Sequence, residues 1–163
     1  MHRNRQIINM SEASSIGVLY FLPDEPTYRQ ISAYVKKLQE RGKTVKALGY
    51  VESKQLTGQF LPKLSYDFLY PTGINWMLKP TTTAARDFMD AEFDILIDLS
   101  TEHHLPLLYL TAFSKAKFKT GLQSDERSNY LDLMINLDEN GGLDELITQI
   151  DHYLSIINKD NES

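Results

Sequence analysis

The sequence predicts a three-layer α/β domain with a mainly parallel sheet of five or six strands and helices on both faces. Residues 16–21 form a continuous apolar run, which is typical of a strand covered on both sides. Residues 24–42 follow with apolar side chains at spacings of three and four, as in an amphipathic helix. Residues 44–51 form a second apolar run, so the three segments predict a right-handed βαβ unit.

The boundaries of the first helix are marked by residues with known terminal preferences. Asp24 is suited to the N-cap, Glu25 complements the helix dipole in the first turn, and Pro26 stands where a missing N–H costs nothing. Gly42 can end the helix with a left-handed backbone conformation. This segment is therefore expected to begin at Asp24 and to end before Gly42.

The remainder of the chain continues the alternation of strands and helices, although residues 52–80 are broken by several Gly and Pro residues. The alternation predicts a doubly wound, Rossmann-like sheet of order 3-2-1-4-5-6, with the direction of the last strand left open. The predicted strands are residues 66–70, 93–99, 118–122 and 130–137, and the predicted helices are residues 105–116, 143–157 and a short one capped by residues 81–83.

The length of 163 residues suits one compact domain, which would bury roughly 70% of the surface of its unfolded chain. We expect residues 1–14 to form a basic N-terminal arm, residues 15–158 a single Rossmann-like domain and residues 159–163 a polar tail. The last predicted strand alternates apolar and polar residues, so it should lie near an edge of the sheet.

The composition excludes several classes of function. The net charge of −5 argues against a general nucleic-acid binder, and the absence of cysteine removes thiol chemistry and agrees with a reducing compartment. The apolar run near the N-terminus is too short for a signal peptide, and the sequence contains no stretch of about 18 apolar residues. These features predict a cytoplasmic protein without a membrane partner.

Ligands of such sheets usually bind beyond the carboxyl ends of the strands, where the strand order reverses. That crevice is expected between residues 22–25 and 100–104, which contain carboxylates, hydroxyls and two adjacent histidines. The ligand-binding candidates are Asp24, Glu25, Asp98, Ser100, Thr101 and His103.

Each of these candidates also has a structural interpretation. Asp98 can accept a hydrogen bond from a loop N–H group, while Ser100 and Thr101 can cap the following helix. No glycine-rich phosphate loop follows the first strand, and adjacent histidines such as His103 and His104 diverge too much to share one metal ion. We therefore predict no cofactor and no metal.

A second candidate site is the lysine-rich segment around Phe118. Lys115, Lys117 and Lys119 could bind an anionic group, or they could complement the dipole of the preceding helix. Strict alternation would place all three on one solvated side. Trp76, the only tryptophan, is interpreted as a core anchor or a surface plug.

Several segments resemble a small family of uncharacterised cytosolic proteins from Bacteroidota, over nearly the whole chain after about residue 14. This resemblance implies a single domain whose activity is unknown. The segments that carry it are residues 16–19, 46–50, 60–64, 92–99, 105–107 and 114–121.

Residues 93–99, the apolar helix that follows and residues 116–121 are also similar to the N-terminal half of heptosyltransferase-type glycosyltransferases. Those enzymes have two Rossmann-like domains and bind the nucleotide-sugar largely with the second. The present sequence lacks their Gly-Asp turn after the first strand, where Asp24 has only a comparable position.

From these observations we expect a noncatalytic or small-ligand-binding Rossmann-like domain whose partner is a small molecule or a protein. Self-association as a homodimer would use the sheet edge or the region of Trp76. The alternative is an enzyme or enzyme subunit that acts on a sugar or another small polar metabolite.

Overall fold

A computed structural model describes residues 3–53, 60 and 63–157 of the chain. It contains one sheet of six parallel strands in the order β3-β2-β1-β4-β5-β6. The predicted order is confirmed, and the last strand is parallel to the others. The strands are β1 (Ser15–Phe21), β2 (Thr44–Tyr50), β3 (Tyr66–Leu69), β4 (Ile95–Asp98), β5 (Phe118–Leu122) and β6 (Leu133–Ile135).

Helices cover both faces of this sheet, which gives the Rossmann-like, three-layer arrangement. The helices are α1 (Glu25–Glu40), α2 (Thr83–Asp90), α3 (Leu105–Phe113) and α4 (Leu143–Ile156). Ile95 and Ile97 of β4 pack with buried residues of α1 and α4, whereas Leu96 packs with those of α2 and α3. Because successive side chains of a strand alternate between faces, two separate apolar clusters form around one sheet.

The first βαβ unit has the predicted boundaries. The Asp24 carboxylate accepts hydrogen bonds from the Thr27 backbone N–H (2.9 Å) and hydroxyl (2.7 Å), so it caps α1. At the other end, Gly42 has a φ of +85°, which is favourable for glycine and strained for other residues. Thr82 caps α2 in the same manner, through the Ala85 N–H.

Two elements are shorter than their sequence patterns suggested. Helix α3 ends at Phe113, because Ser114 is extended and the Lys115 N–H bonds to the Met89 carbonyl instead of continuing the helix. Strand β6 comprises three residues, since the chain before it forms turns up to Tyr130. Hydrophobic periodicity could not locate the end of α3 or the limits of β6, because apolar side chains continue beyond both elements.

The N-terminal segment packs along β5, β6 and the end of α4. Ile8 and Met10 are buried in the α1/α4 cluster, and the Gln6 N–H bonds to the Lys117 carbonyl at 3.0 Å. Arg3 and Arg5 both bind the Asp132 carboxylate, whose exposed fraction is only 3%. The predicted polar tail at residues 159–163 lies outside the described residues. Among the helices described, none is both long and apolar enough to cross a membrane.

Candidate functional site

The crevice expected between β1 and β4 is largely filled by side chains. The ring of Phe21 stacks on the imidazole of His104, with centroids 3.9 Å apart and an interplanar angle of 21°. A cavity of only about 80 Å³ remains there, lined in part by Thr101, Glu102 and Thr27. Pockets for small ligands usually have several times this volume.

Asp24 and Glu25 serve the first helix at this crevice. Asp24 is fully engaged as the α1 N-cap, and the two hydrogen bonds from Thr27 hold the pKa of its carboxyl below the usual range. Glu25 forms an exposed ion pair with Arg29 one turn later, at 2.9 Å. Both carboxylates therefore have a structural role that accounts for their presence.

Asp98 is a buried anchor for the loop after β4. One carboxylate oxygen accepts the Ser100 N–H (2.9 Å), and the other accepts the Thr111 hydroxyl (3.2 Å) and lies 3.8 Å from Arg127 Nε. The buried Arg127 side chain also donates to the Glu102 carbonyl at 2.6 Å. Asp98 and Arg127 thus hold residues 100–102 in place. The loop N–H partner that the sequence predicted for Asp98 is the Ser100 N–H.

The other candidates of this loop differ in their exposure. Ser100 is buried and its Oγ has no hydrogen-bond partner among the described residues, whereas Thr101 and His103 are exposed. His103 is one of the residues that line a second, larger cavity. The loop therefore faces two cavities, one on each side of the Phe21–His104 stack.

The larger cavity has a volume of about 490 Å³ and lies beyond the carboxyl ends of β2 and β4. This volume falls within the range of small-molecule sites. Its walls combine apolar residues with convergent polar groups, and among the described residues no lysine or arginine lines it. The lining residues are Tyr50, Glu52, Pro71, Ile74, Asn75, Leu78, His103, His104, Leu105 and Pro106.

Three polar side chains that line this cavity, Tyr50, Glu52 and His104, lie close together. His104 Nδ1 lies 3.7 Å from Glu52 Oε2, whereas His104 Nε2 lies 3.4 Å from Glu102, a residue of the smaller cavity. Tyr50 packs edge-on against the same imidazole, with centroids 5.9 Å apart. Burial, followed by the charge of Glu52 and a hydrogen bond to it, raises the pKa of the Tyr50 hydroxyl. The site therefore offers a carboxylate acceptor and a tyrosine on an apolar floor.

The outer wall of the cavity is a tight turn at residues 75–79. The Asn75 side chain accepts hydrogen bonds from the N–H groups of Met77 and Lys79, both at 3.0 Å. Leu78 has a φ of +63°, a conformation that is uncommon for residues other than glycine. Trp76, at the tip, is 88% exposed, so its interpretation as a core anchor is wrong.

The three lysines do not share one solvated side. Lys115 pairs with Asp90 at 3.3 Å and Lys117 with Asp94 at 3.2 Å. Lys119 is buried, because its side of β5 is covered by α3, and its ammonium donates to the Thr111 (2.6 Å) and Ala112 (3.2 Å) carbonyls. The prediction of three solvated lysines is thus wrong, and Lys119 instead completes the C-terminus of α3.

The described residues hold no cluster of three or more His, Cys, Asp or Glu side chains suited to a metal ion. The two carboxylates beside His104 approach different ring nitrogens, Glu52 at Nδ1 and Glu102 at Nε2, so they do not converge on one point.

The chain matches the model of a protein family and resembles a solved structure. The model of a family of unknown function, DUF6913, matches residues 1–157. The chain belongs to that family. No curated protein matches the DUF6913 chain. Among solved structures, it is similar to the crystal structure of a family 9 glycosyl transferase from Veillonella parvula, with a TM-score of 0.51 and 14% identity. The match covers 88% of this chain and 42% of the transferase chain, and at this identity it supports the fold alone.

The sequence candidates did not include Tyr50, Glu52 and Arg127, and His104 was weighed only as a metal ligand. A usable signal was present for two of them, since Tyr50 ends β2 and Glu52 follows it at the same edge as His104. The rule that ligands bind beyond the carboxyl ends of parallel strands applies equally to β2. Arg127 had no such signal, because it reaches Asp98 from a turn.

Proposed function

We propose that this DUF6913 protein binds a small polar molecule, neutral or cationic, in the cavity beside Tyr50, Glu52 and His104. The observation that supports the proposal is a cavity of about 490 Å³ at the carboxyl edge of the sheet with convergent polar groups over an apolar floor. A sugar or a small amine matches this combination of carboxylate acceptors and flat apolar walls.

The charges around the cavity disfavour phosphate as the recognised group. The N-terminus of α3 contributes a partial positive charge of about half a unit. Glu52 lines the cavity, and the Glu102 carboxylate lies 3.4 Å from His104 on its far side. Among the described residues no lysine or arginine lines the cavity, so these acidic side chains disfavour a nucleotide or a sugar phosphate.

Thermal unfolding with a panel of ligands tests this proposal. Neutral sugars and small amines are compared with inorganic phosphate and nucleotides. A ligand at 100 times its Kd adds about 2.7 kcal/mol to the stability of the native state. It should therefore raise Tm by roughly 5–10 °C.

Glu52→Gln and Tyr50→Phe should reduce the shift, because they remove an acceptor charge and a hydroxyl from the cavity. Glu40→Gln, which changes an exposed residue at the end of α1, is the matched control. A shift produced only by phosphates, or one that Glu52→Gln leaves unchanged, would contradict the proposal.

Catalysis on the same class of molecule is the second candidate function, as an enzyme or an enzyme subunit. It is favoured by the His104 imidazole, which lies in the cavity wall 3.7 Å from Glu52 and whose Nε2 has no hydrogen-bond partner among the described residues, so this group is available to exchange a proton with a bound molecule. Product formation from a bound sugar or amine that is lost in His104→Gln, with binding retained, would support it. Binding without turnover supports the noncatalytic form.

The cellular setting and the extent of the domain are also part of the proposal. A cytoplasmic location is supported by the absence of cysteine. A single domain, predicted over residues 15–158, is supported by the two apolar clusters that share one sheet, and Ile8 and Met10 of the predicted arm pack into one of them. The expected origin in Bacteroidota stays a prediction.

A further inference from the structure

The outer face of α3 and the neighbouring turn form an apolar surface that shares only Leu105 with the lining of the ligand cavity. This surface, here called the α3 face, is exposed at several large side chains, and Trp76 (88%) and Met77 (60%) are the most exposed. Its other members flank a groove of about 260 Å³ along the helix. The α3 face consists of Trp76, Met77, Leu105, Tyr109, Phe113 and Tyr130.

The α3 face is almost free of charge, in contrast to the rest of the chain. Helix α3 (Leu105–Phe113) contains no charged residue, nor does the segment 74–78, although 24% of the sequence is charged. Helices on the surface of a monomer normally carry polar residues on their outer side. A helix that is apolar all round is normally buried on all sides, and none of the described residues covers the outer side of this one.

We infer that the α3 face is covered by a second copy of this chain, in a two-fold symmetric homodimer. The shape of the surface supports this choice of partner. The apolar groove is lined by Met77, which directly follows the exposed Trp76 in the chain, so each copy can offer its tryptophan to the groove of the other. Such reciprocal contact is the defining property of an isologous interface.

The turn is rigid enough to act as a preformed projection. Asn75 Oδ1 bonds to the N–H groups of Met77 and Lys79, which fixes the backbone around Trp76. On the groove side, Tyr109 and Phe113 stack with centroids 4.4 Å apart and form a stable wall. Little conformational entropy is therefore lost when the two copies meet.

The available area suits a weak dimer. The exposed fractions of the α3 face correspond to on the order of 600 Å² per copy, given ~150–250 Å² for a whole aromatic side chain. Stable interfaces bury ~800 Å² per partner. The absence of charge on this face matters here, because two chains with a net charge of −5 would otherwise repel each other.

The test is the mass of the full chain in solution, measured by analytical ultracentrifugation between about 1 µM and about 1 mM, which brackets the micromolar Kd expected of an interface of this size. Trp76 provides a second readout because it is the only tryptophan. Its emission should shift to shorter wavelength, and its quenching by acrylamide should fall, as the protein concentration rises.

Phe113→Lys should weaken the dimer by at least about tenfold while keeping Trp76 as a reporter. Trp76→Ser, in an exposed turn, is the second variant in case the first does not fold. Leu64→Lys is the matched control, since Leu64 is equally exposed at 88% but lies beside β3.

A concentration-dependent mass that both α3-face variants abolish and the control retains is the expected result. A monomer over the whole range would overturn the inference, and so would a dimer that survives both variants. All of these measurements are made without added ligand, so they test the dimer separately from the proposed function.

Discussion

The buried ammonium of Lys119 predicts an unusual dependence of stability on pH. Burial lowers the pKa of Lys119 to about 8 in the folded chain, against 10.5 for a solvated lysine. Between these values the unfolded state binds more protons than the folded state, so the free energy of unfolding rises with pH. Replacing Lys119 by methionine removes the titrating group and keeps most of the aliphatic stem.

The size of the effect follows from the two pKa values. Raising the pH from 7 to 9 should stabilise the wild-type protein by about 1.3 kcal/mol through this lysine alone. Tyr20 and Tyr34 act in the opposite direction, because burial raises the pKa of each and they ionise only on unfolding. At pH 9 they oppose the rise by only about 0.1 kcal/mol, since tyrosine titrates near 10 in the unfolded chain.

Urea unfolding followed by far-ultraviolet circular dichroism at pH 7 and pH 9 measures this difference directly. Lys119→Met should lose the rise, whereas Lys115→Met, which changes an exposed lysine of the same segment, should keep it. If wild type and Lys119→Met respond equally to pH, the assigned state of this buried lysine is incorrect. When the change in unfolding free energy between pH 7 and pH 9 is compared between wild type and a variant, the contribution of the titrating groups that both proteins contain cancels.

Two further substitutions test the packing that positions the site. Gly49→Ala should destabilise the fold by about 1–3 kcal/mol in thermal or urea unfolding, because a Cβ at Gly49 would lie 2.6 Å from the Tyr20 ring. Gly142→Ala, with open space around its Cβ, should stay within about 0.5 kcal/mol of wild type, and equal losses would disprove the steric argument. Arg127→Met should cost about 3 kcal/mol by leaving Asp98 buried without its cation, and the added change Asp98→Asn should recover part of that loss in a double-mutant cycle. An additive cycle would mean that the two side chains do not interact.

The strands and their order were predictable because burial on both sides leaves continuous apolar runs. The continuous apolar runs at residues 16–21 and 93–99 are typical of central strands. A single helix that connects two neighbouring strands, as α1 connects β1 and β2, makes the two strands parallel. Caps such as Asp24 were equally readable, since they act within four residues along the chain.

The site was harder to predict because its properties arise between distant residues. The stack of Phe21 on His104, which fills the expected crevice, joins residues more than 80 positions apart, and no local pattern encodes it. Alternation along β5 assigned Lys119 to a side of the sheet, but it could not tell that α3 covers that side. Trp76 could be a core anchor or a surface plug by its sequence, and only the Asn75 turn, which holds it outside, decides between the two.

Leu78 and Leu105 line both the cavity beside His104 and the groove on the α3 face. A molecule in the cavity and a second chain in the groove would therefore press on opposite sides of the same two side chains. By thermodynamic linkage, a ligand that strengthens self-association by some factor must itself bind the dimer more tightly by that factor.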